Sequence, residues 1–106
     1  GLIVITAFIS PFQRDRERVR KLLPPGQFWE VYIDCPLEIC EQRDPKNLYR
    51  QARERLIPEF TGISSPYEPP ARPELVLLTA VEAVEECVDR LIRKLISDKV
   101  ISAKER

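Results

Sequence analysis

The chain opens on eight apolar or β-branched residues in a row, Leu2-Ile3-Val4-Ile5-Thr6-Ala7-Phe8-Ile9. Such a run is too short for a buried helix. Its hydrophobicity is continuous rather than alternating, which predicts a strand covered on both faces, as in a parallel sheet. A strand of that kind demands helices above and below it, so it restricts the fold more than any other feature. Ser10-Pro11 punctuates its end. Arg14 to Leu23 follows, rich in helix formers with acids and bases mixed within single turns, and Pro24-Pro25-Gly26 stops it. Phe28 to Asp34 reads as a second strand, which completes a βαβ unit with the right-handed crossover as default.

Pro36 to Glu41 predicts a short helix with proline at its first position. Arg43 to Arg55 predicts a strongly basic helix. A loop from about Pro58 to Pro73 carries five prolines, and ordered loops of this length are often functional. Leu75-Val76-Leu77-Leu78 is a third buried strand. Val84, Cys87, Val88, Leu91, Ile92 and Leu95 then recur at helical spacing and give the last helix one apolar face. The order is β-α-β-α-α-loop-β-α, an α/β class with a mostly parallel sheet. Three strands make a narrow sheet to bury on two faces, so further strands are expected before Gly1.

The totals exclude several classes. Seventeen basic residues balance 17 acidic ones, which leaves no global pull toward nucleic acid or membrane. No apolar run approaches the ~20 residues of a membrane span, and the opening run lacks the flanks of a signal peptide. Cys35, Cys40 and Cys87 are odd in number and fit no zinc spacing, which suits reduced thiols in a cytoplasmic protein. Histidine is absent, and with it Ser-His and Cys-His catalysis.

Three features bear on chemistry, each with two readings. Ser10 lies at the carboxyl end of a predicted strand, where open α/β sheets bind ligands. It is either a phosphate-contacting residue or a helix cap. Arg43, Lys46, Arg50 and Arg53, spaced 3, 4 and 3 apart, would share one helix face. They form either a solvated surface or an anion clamp able to close over a nucleotide. Phe60, in Phe60-Thr61-Gly62, either stacks on a base or pins its loop to the core.

These segments together resemble the adenylylsulfate (APS) kinase family. Phe8-Ile9-Ser10-Pro11-Phe12 with Asp15-Arg16 matches F-I-S-P-[YF]-x-x-D-R. Asp34 to Lys46 resembles D-x-P-L-x-x-C-E-x-R-D-P-K, and Leu48-Tyr49 with Ala52-Arg53 matches L-Y-x-x-A-R. Phe60-Thr61-Gly62-Ile63, Ser65-Pro66-Tyr67-Glu68 and Pro73-Glu74-Leu75 resemble F-T-G-I-D-x-P-Y-E and P-E-L. The resemblance runs from about Gly1 to Ile101.

It implies a P-loop-kinase-like parallel sheet with flanking helices, here the C-terminal part, in a family that is usually homodimeric. The implied reaction is phosphorylation of the 3′-hydroxyl of adenosine 5′-phosphosulfate (APS) by ATP with Mg²⁺, giving PAPS. Ile9, Ser10, Lys46 and Phe60 would bind APS, with Phe60 stacked on its adenine; Ser10 also matches a serine known as a phosphoserine in some members. Arg43, Arg50 and Arg53 would belong to a basic lid, residues 43–62, and Thr79 to Glu82 would lie near the ATP adenine. No metal ligand is expected within these residues.

The departures cluster in the lid, where the family commonly reads K-G-L-Y-K-K-A-R-A-G-E-I-K-G-F-T-G. Asn47 follows Lys46, Arg50-Gln51 replaces two lysines, Glu54-Arg55-Leu56 replaces A-G-E, and Pro58-Glu59 replaces K-G. Glycines that could hinge are lost, and an acid appears beside the adenine site. Ser64 stands in place of aspartate. No G-x-x-x-x-G-K-[ST] occurs in the 106 residues, so they alone are expected to be inactive as a kinase. A non-catalytic adenine-nucleotide-binding or oligomerisation domain is the alternative.

Overall fold

The computed structural model describes residues 1–103, which fall into two compact units. One comprises Gly1–Phe28 and Pro45–Ala71; the other begins with Trp29–Asp44 and resumes at Arg72. Both units are therefore assembled from segments distant in sequence.

The second unit holds the sheet. Strands β1 (Val31–Asp34) and β2 (Leu75–Leu78) pair in parallel, from Val31 beside Leu75 to Asp34 beside Leu78. Glu74 starts this ladder. Its carboxylate accepts the Glu30 N–H at 2.7 Å and its own N–H donates to the Glu30 carbonyl at 2.9 Å. The P-E-L segment thus satisfies backbone groups that the beginning of a strand leaves open. Helix α2 (Leu37–Arg43) follows β1. Pro36 is its N-cap, one position earlier than expected, and its carbonyl accepts from Ile39 and Cys40. Helix α4 (Val84–Ser97) follows β2 and packs on it. Among the described residues of this unit, Leu77 and Cys87 are the buried apolar ones. The Glu86 carboxylate reaches back to the Ala83 N–H at 3.2 Å, the acidic half of a capping box.

The first unit carries α1 (Gln13–Arg20) and α3 (Leu48–Arg53), with Ala52 buried. Its Pro-rich loop folds back on the start of α1 through Glu68, whose N–H donates to the Pro11 carbonyl at 2.8 Å.

The α/β class with parallel pairing and flanking helices agrees with expectation, but two sequence-based expectations fail. Leu2–Ile9 is not a strand. Among the described residues it joins no ladder, and Leu2, Val4, Ile5 and Phe8 are 94, 80, 82 and 83% exposed. A strand exists through hydrogen bonds to a neighbour, and no described strand runs beside this segment. The second failure is the continuous basic helix. The chain leaves helix at Asp44 (φ 8°, ψ 64°), passes through Asn47 (φ 55°) and re-enters helix only at Leu48. Pro45 is the cause: it disfavours helical geometry in the residue before it and has no N–H to donate. Arg43 and Lys46 therefore do not share a helix face with Arg50 and Arg53. The boundary between the two units falls within residues 43–62, between Asp44 and Pro45.

Candidate functional site

The first unit contains Ile9, Ser10, Lys46, Arg50, Arg53 and Phe60. Ile9 is exposed and Ser10 half-buried, directly ahead of α1. Ser10 is not the cap of that helix: Phe12 holds the N-cap position. The first helical N–H, of Gln13, donates to Glu68 Oε1 at 2.8 Å. A protein carboxylate thus sits where the positive end of α1 favours negative charge. The Ser10 carbonyl accepts from Arg16 Nη1 at 2.5 Å, and Arg16 Nη2 donates to the Glu68 carbonyl at 2.5 Å and to Gln13 Oε1 at 2.9 Å. The Arg16 guanidinium carbon also stands 5.7 Å from the centre of the Tyr67 ring, within cation–π range. Arg16 and Glu68 were visible in the sequence as parts of the D-R and P-Y-E motifs, but nothing in spacing alone reveals that they meet.

Phe60 heads a tight turn. Its carbonyl accepts the N–H groups of Ile63, Ser64 and Ser65 at 3.1, 2.9 and 3.0 Å, and its N–H donates to Ser64 Oγ at 2.8 Å. Ser64 thus makes the side-chain-to-backbone bond that an aspartate at this place could also make. Gly62 supplies the positive φ (89°) that the turn requires. The half-buried Phe60 ring meets Tyr49 edge-on, with centroids 5.0 Å apart and planes at 72°. The ring is anchored on one side without being enclosed, an arrangement compatible with both roles weighed for it. Lys46, Arg50 and Arg53 are exposed; Arg50 pairs with Glu54 at 3.4 Å, a surface contact of little energetic weight.

The lid departures acquire a backbone meaning. Asn47, Arg55 and Glu59, which occupy three of the four positions where the resembled pattern carries glycine, all have positive φ, at 55°, 61° and 52°. The chain keeps a backbone path suited to glycine while losing the residue that adopts it without strain. Asparagine tolerates this region; arginine and glutamate do so at a cost. Arg55→Gly and Glu59→Gly are each expected to stabilise the chain by about 0.5–1 kcal/mol, the left-handed strain relieved less the entropy glycine adds to the unfolded state. Urea titration of the two variants checks this; a loss of stability in both would show that the arginine and glutamate side chains more than offset the strain.

The second unit gathers Arg43, Thr79 and Glu82 at the carboxyl ends of β1 and β2. Arg43 Nη2 donates to the Thr79 carbonyl at 2.9 Å, so a residue assigned to the lid meets one assigned to the ATP adenine. Glu82 accepts the Leu78 N–H at 2.8 Å and takes Arg90 Nη1 on both carboxylate oxygens, at 2.6 and 2.8 Å. The Leu78 backbone donor first, and Arg90 second, hold its carboxyl below the ordinary glutamate range. This carboxylate has a structural task, closing the end of β2, that sequence reasoning did not assign to it. Among the described residues no three His, Cys, Asp or Glu side chains gather to hold a metal ion. Also among the described residues, no helix is long and apolar enough to cross a membrane.

Residues 1–78 match the family model described as adenylylsulphate kinase. The adenylyl-sulfate kinase of Marinobacter nauticus is 56% identical over 103 residues, covering 97% of this chain and 52% of its own length. The probable adenylyl-sulfate kinase of Bacillus subtilis is 61% identical over 92 residues, covering 87% of this chain and 47% of its own. Among solved structures, the APS kinase of Mycobacterium tuberculosis in complex with AMPPNP and APS superimposes with a TM-score of 0.75 at 40% identity, over 80% of this chain and 50% of that one. The chain spans about half the length of the curated relatives it matches, in their C-terminal part. A family match over most of the chain, together with the shared fold of the P-loop kinases, leads to one conclusion: this chain belongs to the adenylylsulphate kinase family.

Proposed function

We propose that this chain is the substrate-side part of an APS kinase. In the reaction a 3′-oxygen of adenosine 5′-phosphosulfate attacks the γ-phosphorus of ATP. The bond to the β,γ-bridging oxygen breaks, the hydroxyl proton is lost, and PAPS and ADP result. Phosphoryl transfer of this kind depends on positioning and on stabilising charge more than on covalent chemistry. The single observation that carries the reading is how the assigned residues divide. Ile9, Ser10, Lys46 and Phe60, all assigned to APS, fall within one unit, whereas Thr79 and Glu82, assigned to the ATP adenine, fall within the other.

In this reading Phe60 stacks on the APS adenine while Tyr49 holds its ring, and Ile9 and Ser10 line the APS site. Lys46 faces the phosphosulfate, and Arg50 and Arg53 bring further positive charge from α3. Ser10 is also the candidate phosphoserine. Arg43, bonded to the Thr79 carbonyl, belongs with the ATP side. Residues 43–62 then act as a lid in two parts, flanking the break at Pro45. Mg²⁺ enters with ATP, its ligands lying outside these residues, and no step here is assigned to it. Homodimerisation and a cytoplasmic setting belong to the same proposal.

Phe60→Ala tests the assignment. It is expected to weaken APS binding by about 1–3 kcal/mol, the worth of stacking on a base, and to leave ATP binding nearly unchanged. Calorimetric titration with each nucleotide, on the chain joined to the P-loop-bearing half of a relative, checks this. Equal losses for both would make Phe60 a packing residue and remove the basis for the APS site.

The non-catalytic reading has one observation in its favour. Arg55 and Glu59 put side chains at positive φ where a closing lid would use glycine, and Glu59 adds a negative charge next to Phe60. A chain that binds APS yet gives no turnover when a P-loop is supplied would favour it.

A further inference from the structure

We propose that Arg16 is a positioning residue for APS: it locks the Ile9-Ser10 segment to Glu68 in the Pro-rich loop beyond the lid. The inference deepens the proposed function and rests on its assignment of Ile9 and Ser10 to the substrate.

The local sequence makes this segment hard to hold. Ser10 and Pro11 lie outside any helix or strand, Pro11 has no N–H, and the preceding apolar run joins no ladder among the described residues. A segment without regular backbone bonding drifts unless side chains fix it. Arg16 does so from one turn inside α1. One arm of its planar guanidinium donates to the Ser10 carbonyl at 2.5 Å; the other donates to the Glu68 carbonyl at 2.5 Å and to Gln13 Oε1 at 2.9 Å. Glu68 closes the arrangement with two bonds of its own, from its N–H to the Pro11 carbonyl and from its carboxylate to the Gln13 N–H, both at 2.8 Å. Four hydrogen bonds thus tie Ser10, Pro11 and Gln13 to residues 55 or more positions away or to Arg16 itself, and Tyr67 lies against the guanidinium.

The geometry selects arginine over lysine. Two carbonyls in different chain segments are reached at the same time by separate nitrogens of one rigid fork, which a single ammonium on a flexible stem cannot reproduce with the same preorganisation. The Ser10 carbonyl bond also sets the orientation of the peptide that follows Ser10, and so the direction from which the serine side chain leaves the backbone. The Pro-rich loop that begins near Phe60 passes through this same clamp at Tyr67 and Glu68. Arg16 therefore fixes together the two ends of the APS site, without itself touching the substrate.

The test is an APS titration followed by NMR on ¹⁵N-labelled protein joined to the preceding, P-loop-bearing half of the Bacillus subtilis relative, for wild type, Arg16→Lys and Arg16→Gln, with ATP titrated in parallel. Arg16→Gln is expected to weaken APS binding roughly tenfold or more, as displaced binding groups do. Arg16→Lys should recover part of that loss. The amide dispersion of β1, β2 and α4, and the affinity for ATP, should stay within twofold of wild type. Should Arg16→Gln lose its dispersed spectrum, Arg16→Lys alone decides: APS weakened with ATP unchanged supports the role, and parallel weakening of both overturns it. A wild-type protein that binds no APS overturns the functional reading and this inference with it. A wild type that binds APS, beside variants that bind it equally well, overturns the positioning role alone.

Discussion

Joined to the preceding half of the Bacillus subtilis relative, this chain is expected to phosphorylate adenosine 5′-phosphosulfate, while the 106 residues alone stay at background. The difference should be at least about 10³-fold, the scale on which single charge-stabilising groups act in phosphoryl transfer. The 106 residues contain no G-x-x-x-x-G-K-[ST], hence no backbone cradle for the ATP phosphates, no lysine to reach them and no magnesium-binding hydroxyl from that source. What they do contain is a cluster of motifs assigned to APS. At 61% identity over 92 residues, contacts across the junction should be close to those within the relative. A coupled assay for ADP formation, dependent on both APS and ATP, measures the outcome. A folded chimera that binds APS but forms no ADP would favour the non-catalytic alternative, and would point to the altered lid as the reason. Adding Arg55→Gly and Glu59→Gly to the chimera separates these causes, since it returns to the lid the freedom that left-handed positions lose when they carry side chains.

Leu77→Ala is expected to abolish cooperative folding of the sheet-bearing unit. Leu77 is 6% exposed, lies in β2 opposite Ile33 and shares the buried interior of this unit with Cys87. Truncating a buried leucine costs about 2–5 kcal/mol from lost transfer energy and the cavity left behind. Small domains have little stability in reserve, so a loss of that size approaches the whole. Thermal melting followed by circular dichroism should lose its sigmoidal transition, or shift it well below the wild-type midpoint. Val88→Ala, on an exposed stretch of α4, is the control and should change stability by no more than about 0.5 kcal/mol. If both variants melt like wild type, the interior of the unit lies elsewhere than at Leu77.

Much of the fold was legible from local pattern. The 3.6-residue apolar period of Val84 to Leu95 marks α4, although on that face only Cys87 is buried and Val84 and Val88 stay exposed. Leu75–Leu78 and the latter part of Phe28–Asp34 are strands because apolar, β-branched runs that find a partner become ladders. Pro24-Pro25-Gly26 stops α1, although the helix ends three residues before Leu23, at Arg20. The family could be read in the same way, since its motifs are short, ordered and dense. The basic helix could have been corrected from the sequence itself: Asp44-Pro45 was a stronger signal than the 3-4-3 spacing of cations, because proline sterically disfavours helix in the residue before it whereas a charge pattern only permits a face.

Other features depended on partners that no local pattern names. Leu2–Ile9 has the composition of a buried strand, and its identity as one rested on a neighbour that the described residues do not provide; hydrogen bonds between strands are long-range, and composition cannot supply them. Nor could spacing show that Arg16 would reach Ser10 and Glu68 at once, or that Arg43 would bond to Thr79. These contacts join segments 52 and 36 residues apart, Arg16 to Glu68 and Arg43 to Thr79. The sequence by itself determined the class, the family and which residues are candidates for chemistry, since periodicity, turn chemistry and motif order are local properties. Tertiary structure alone decided which candidates stand together, where the lid breaks, and that Asn47, Arg55 and Glu59 carry positive φ, because backbone conformation in a loop is set by what the loop is tied to at both ends.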